Sequence, residues 1–139
     1  MTDRFALNVP GKPEYVGTVR MTVAHVAGHA GFDIEAIEDI KVAVSEACTN
    51  IVLHAHEDTD FTYDVTLELD PPDKLTITVT DTGTGFGVDD YVEPTPGELQ
   101  ESGLGIFIIR ALMDEIDITS EPGVGTSLHM VKYLQNRTA

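Results

Sequence analysis

Glu46 and Asn50 stand four residues apart, a spacing that puts both side chains on one face of a helix. A carboxylate beside an amide oxygen suits a hard cation: Asn can coordinate magnesium, and Glu can take a proton from a hydroxyl or a water. Taken alone, the spacing is a weak signal, and the polar face of an exposed helix is the commoner explanation of such a pair. The run Asp81-Thr82-Gly83-Thr84-Gly85-Phe86-Gly87 follows a β-type segment that ends at Val79. Asp81 can accept a hydrogen bond from an exocyclic amine such as that of adenine, while Gly83 and Gly85 let backbone approach a ligand. No Lys-Ser or Lys-Thr follows these glycines, so the Walker pattern is absent, and a tight turn accounts for them as well. In Ser102-Gly103-Leu104-Gly105-Ile106 a glycine pair opens a helix whose free N–H groups can face phosphates; close helix packing is the other explanation. Gly125-Thr126, at the entrance to the last strand, offers a hydroxyl that can hold a base through water.

The elements that must position these residues follow from periodicity. Phe5, Leu7 and Val9 alternate as a short strand, which Pro10, Gly11 and Pro13 interrupt. Val16, Val19, Val23 and Val26 recur at helical spacing between Glu14 and about Ala30, with Gly28 and Gly31 marking the end. Asp33 is placed to cap a second helix, in which Ile37, Ile40, Val44, Ala47 and Ile51 form an apolar stripe reaching about His54. Tyr63, Val65, Leu67 and Leu69, then Leu75, Ile77 and Val79, read as a hairpin around Pro71-Pro72-Asp73. The stretch from Asp81 to Ser102 is rich in Gly, Pro, Thr and acids and has almost no periodicity, which suits a lid. A third helix opens near Gly103 and carries Ile106, Ile109, Ala111 and Leu112; Ile116 and Ile118 make a strand, and a turn at 121–125 leads to a last strand with Leu128, Met130 and Tyr133. Helices come early and strands mostly late. The expected fold is therefore α+β: a two-layer sandwich of a mixed, mostly antiparallel sheet with helices packed on one face.

Composition bounds the function. The 139 residues suffice for one core, so the whole chain reads as a single domain. No apolar run approaches the roughly 20 residues that span a bilayer, and the N-terminus lacks a secretory pattern, which points to a cytoplasmic protein with no membrane partner. A lone Cys48 cannot form an intrachain disulfide, consistent with a reducing compartment. The formal charge of −16 repels a phosphate backbone over most of the surface and argues against direct nucleic-acid binding. With only eight Lys and Arg, a polyanion such as ATP must be held locally, by backbone N–H groups, a helix N-terminus or a bridging cation. The same acidity suits a basic protein partner, or simply keeps the chain soluble.

Each of these signals is weak alone, but their order is specific. A polar helix pair, D-x-G-x-G after a strand, a loop, G-x-G at a helix start and a final G-T resemble the N, G1 and G2 boxes of the ATPase fold shared by gyrase, histidine kinases and mismatch-repair ATPases. Within that superfamily, Lys12 to Gly17, Val44 to Asn50, Ala111 to Glu115 and Thr126 to Leu134 look like the serine-protein kinases that act as anti-sigma factors, the RsbW and SpoIIAB family. The resemblance covers nearly the whole chain. It implies an ATP- and Mg2+-dependent kinase that phosphorylates a serine or threonine of an anti-anti-sigma factor, sequesters a sigma factor, and forms a homodimer.

Carried over by motif, Glu46 is the general base and Asn50 the magnesium ligand at the nucleotide. Asp81 reads adenine, Gly83 and Gly85 shape the pocket, Gly103, Leu104 and Gly105 lie against the phosphates, and Thr126 supports the base. Glu14 and Arg20 fall on the family's partner-binding helix. One departure stands out: the segment 84–102 contains no Lys or Arg. A cation for the transferred phosphoryl group must come from elsewhere, such as Arg110, the partner, or magnesium alone. That keeps open the alternative of a non-catalytic ATP-binding module that sequesters a partner without phosphorylating it. His25 and His29 are one helical turn apart with no third ligand in view, His54 and His56 suit a helix C-terminus, and Cys48 and the methionines read as packed residues.

Overall fold

Phe5, Leu7 and Val9 lie in strand β1 (Asp3–Pro10), the first element of a computed structural model that describes residues 2–54, 61–70, 73–81, 101–121 and 125–134. The helix expected from Glu14 begins as a 3-10 turn at Pro13–Tyr15, with Pro13 in the first position, where its missing N–H costs no helical hydrogen bond. α1 proper spans Val16–Ala30 and buries Val16, Val19, Val23 and Val26. Its terminator is Gly31, in the left-handed region at φ 106, whose N–H reaches the carbonyls of Ala27 and Gly28; Gly28 itself stays inside the helix.

Helix α2 spans Ile34–His54. Its start is fixed by the cap that the sequence indicates: the Ala36 N–H donates to Asp33 Oδ1 at 2.8 Å. Replacing Asp33 by Ala is expected to cost about 1 kcal/mol of stability, read as a lower urea midpoint with an unchanged slope. The stripe of Ile40, Val44, Ala47 and Ile51 is fully buried.

The sheet adds β2 (Thr62–Asp70), β3 (Lys74–Asp81), β4 (Glu115–Glu121) and β5 (Gly125–Tyr133), in the spatial order β1-β2-β3-β5-β4. All four described pairings are antiparallel, so the described sheet contains none of the parallel pairing that a mixed sheet allows. Along β2 and β3, Tyr63, Val65, Leu67, Leu75, Ile77 and Val79 are buried among the helices, while Asp64, Thr66, Thr78 and Thr80 occupy the other face. The two-layer α+β arrangement is the one expected.

Helix α3 spans Glu101–Leu112 and opens two residues before the expected Gly103. An acidic residue in a first turn complements the positive end of the helix dipole, and the glycines that read as a boundary lie inside the helix. Ser102 is thus helical, and the remainder of the expected lid, 82–100, lies outside the described residues. Among the described residues no helix is long and apolar enough to cross a membrane.

Candidate nucleotide and phosphoryl-transfer site

α2 contributes the polar pair. Asn50 is buried, at 6% exposure, and its Nδ2 makes no hydrogen bond among the described residues. An amide kept dry and unsatisfied costs on the order of 1–3 kcal/mol, which a ligand in contact with it recovers. Glu46 is half-buried one turn earlier. The third member comes from α3: a Cβ at Gly105 would stand 3.1 Å from Asn50 Oδ1, 3.2 Å from Asn50 Nδ2 and 3.2 Å from Glu46 Oε1. Only a residue without a side chain lets the α3 backbone approach both polar groups this closely. Gly105 was expected at phosphates; its close approach to Glu46 and Asn50 is the contact that sequence spacing could not reveal.

The sheet contributes a second polar pair. Asp81 ends β3 and pairs in register with Thr126 at the start of β5, so the two side chains share the helix-facing side of the sheet. Both are buried, each at 1% exposure. A carboxylate and a hydroxyl at adjacent register positions can accept from, and donate to, the edge of a base. Gly83 and Gly85 lie outside the described residues. Gly103 and Leu104 fall in the first turn of α3, two and one residues before Gly105.

Glu14 and Arg20 meet elsewhere. They line a groove of about 400 Å³ between the start of α1 and α2, together with Gly17, Ser45, Thr49 and Val52. Arg20 Nη1 donates to Ser45 Oγ at 3.3 Å. At 100° per residue, Ser45 and Thr49 form a stripe of α2 next to the stripe of Glu46 and Asn50. The groove and the polar pair are therefore neighbours on one helix. Ser45 and Thr49 were missed at the sequence level, although their i, i+4 spacing on the same helix was a usable signal.

Two other expectations resolve here. Cys48 is fully buried, and burial pushes its thiol up to about 12, so it stays protonated and inert at neutral pH. Its neighbour is Tyr63, whose hydroxyl is also pushed up by burial and makes no ordinary hydrogen bond among the described residues. Arg110 sits exposed in the last turn of α3, five residues beyond Gly105 and roughly 140° around the helix from it.

The structure thus brings Glu46 and Asn50 of α2 against Gly105 of α3, and sets Asp81 beside Thr126 across β3 and β5, within a fold of helices over one antiparallel sheet. The family model described as a histidine kinase-like ATPase domain matches residues 9–132. The chain belongs to this family. A serine-protein kinase RsbW from Halalkalibacterium halodurans is 42% identical over 93% of this chain and 82% of its own length. One from Listeria monocytogenes is 40% identical over 99% of this chain and 91% of its own length. Among solved structures, the RsbU and RsbW domains of a Mycobacterium tuberculosis protein align with a TM-score of 0.72 at 20% identity, over 96% of this chain and 33% of that one, a likeness of fold.

Proposed function

We propose that this protein is an ATP-dependent protein serine/threonine kinase that phosphorylates an anti-anti-sigma factor and, by sequestering a sigma factor, acts as an anti-sigma factor in the cytoplasm. The observation that carries the reading is the close approach of Gly105 to Glu46 and Asn50, in a chain about 40% identical to serine-protein kinases over nearly its full length. The Asn50 Nδ2, buried and without a hydrogen-bond partner among the described residues, can donate to a nucleotide phosphate oxygen, and the amide Oδ1 beside the Glu46 carboxylate would be the ligand for Mg2+ held jointly with those phosphates. Such an ion would neutralise charge on the transferred phosphoryl group. That role matters more here because segment 84–102 has no cation.

The chain's own residues do the rest. Asp81 accepts from the adenine amine, with Thr126 beside it, and orients the nucleotide; Gly83, Gly85, Gly103 and Leu104 form the phosphate-side backbone. The substrate enters along the groove of Glu14 and Arg20, which sets its hydroxyl next to the Glu46 stripe of α2. Glu46 takes the hydroxyl proton as the oxygen attacks the γ-phosphorus, and the bond to ADP breaks. The protein works as a homodimer.

Incubating the protein with magnesium-ATP and the candidate antagonist, followed by mass spectrometry, tests the assignment. Phosphoserine or phosphothreonine on the antagonist is the expected product; no transfer by wild type would leave the non-catalytic sequestering module as the better reading. Asp81→Asn separates binding from chemistry. The lost charge-assisted hydrogen bond is expected to weaken ATP binding by about 10- to 100-fold in calorimetry.

A further inference from the structure

We propose that Ser45 is a positioning residue for the docking of the acceptor protein: its hydroxyl holds the Arg20 guanidinium in place, on the turn of α2 that carries Glu46. The inference rests on the reading of the α1–α2 groove as the place where a partner docks. Both side chains are half-buried, and Arg20 Nη1 donates to Ser45 Oγ at 3.3 Å from one helix to the other. The second terminal nitrogen, Nη2, lies over Gly17, where a Cβ would stand 3.4 Å away, in ordinary contact. One arm of the guanidinium is thus set on α2 and the other along α1. Since the group is planar and rigid, two such contacts fix where its remaining donors point.

The charges around Arg20 explain why a hydroxyl does this. The chain has 24 Asp and Glu for eight Lys and Arg, so acids outnumber cations three to one. Arg20 nevertheless makes no ion pair among the described residues, although Glu14 lines the same groove. A carboxylate at position 45 would hold the guanidinium too, and would neutralise it. A hydroxyl holds it and leaves the charge and the remaining N–H groups for acceptor oxygens of a docking protein.

Two consequences follow for docking. An arginine already held in one geometry loses less rotamer freedom when the partner arrives, so more of the contact energy appears as affinity. The hydrogen bond also ties the docking cation to the helix of the base. Ser45 immediately precedes Glu46 and lies about 100° from it around α2. A partner that meets Arg20 is therefore placed relative to the same helical turn from which Glu46 projects.

A double-mutant cycle on the full chain tests this, read as affinity for the candidate antagonist by calorimetry and as KM and kcat of transfer. Ser45→Ala is expected to weaken that affinity and raise the KM for the antagonist by about fivefold, with kcat changed by less than about twofold. In an Arg20→Ala background the same substitution is expected to change affinity by less than about twofold, because the group through which it acts is gone. Ser45→Thr keeps the hydroxyl and should return to within about twofold of wild type. Alanine is the better helix former, so Ser45→Ala does not act by unfolding α2, which circular dichroism checks. No loss in Ser45→Ala, an equal loss with and without Arg20, or a Ser45→Thr protein as weak as Ser45→Ala would overturn the proposal. An Arg20→Ala protein that binds as wild type does would overturn it together with the groove reading. Binding without transfer by wild type bears on the kinase reading alone, and the affinity cycle still decides the role of Ser45.

Discussion

Glu46→Gln is expected to bind ATP within about threefold of wild type while losing phosphoryl transfer by about a hundredfold or more. The substitution keeps the shape and volume of the side chain beside Gly105, and so keeps the packing of α2 against α3. What it removes is the acceptor for the hydroxyl proton. An amide cannot take that proton, and the attacking oxygen must then lose it to water without a positioned base. The informative measurement is the pair of constants from one preparation: nucleotide affinity by calorimetry and single-turnover transfer to the antagonist. Equal transfer in Glu46→Gln would assign the base to another residue. A loss of affinity matching the loss of transfer would make Glu46 a binding residue.

Gly105→Ala addresses the same pair from the opposite side, and here two effects compete. Alanine is favoured over glycine inside a helix by about 1 kcal/mol. Against this, a methyl group 3.1–3.2 Å from Asn50 and Glu46 forces both to give by a few tenths of an ångström, in a region where overpacking costs about 1–3 kcal/mol. The two terms nearly cancel in stability, so the melting temperature should move by only a few degrees. They do not cancel in catalysis. Misplacement of reacting groups by about 1 Å can cost a hundredfold, so a shift of a few tenths is expected to slow transfer by about tenfold. A folded Gly105→Ala protein with undiminished transfer would show that the pair tolerates displacement and that the close approach is only packing.

Sequence reasoning recovers the parts of this fold that depend on local chemistry. Asp33 caps α2, Gly31 ends α1, and the alternation in β2 and β3 reports a sheet with one buried face, because each is a consequence of residues a few positions apart. The start of α3 was misplaced for the same reason, since glycine is a strong local punctuator and Gly103 drew the boundary inward from Glu101. Long-range geometry is a different matter. Nothing near Asp81 signals that Thr126 is its register partner, because that depends on how β3 pairs with β5 across more than forty intervening residues. Nothing near Gly105 signals Glu46 either; two helices far apart in sequence must first pack. The order of the motifs bridged that gap, since their sequence along the chain belongs to a fold whose long-range pairings are already fixed.

The crowding of α2 has one more consequence. From Ala43 to Val52 every residue of this helix is at least partly covered: the apolar stripe faces the sheet, Glu46 and Asn50 face Gly105, and Ser45 and Thr49 face the Arg20 groove. A substitution there disturbs one neighbour. An inserted or deleted residue does more, because it turns every later side chain by about 100° and carries each stripe onto its neighbour's address. The length of this segment is thus as much a part of its message as its letters, and a gene can drift in spelling there far more freely than it can gain or lose a codon.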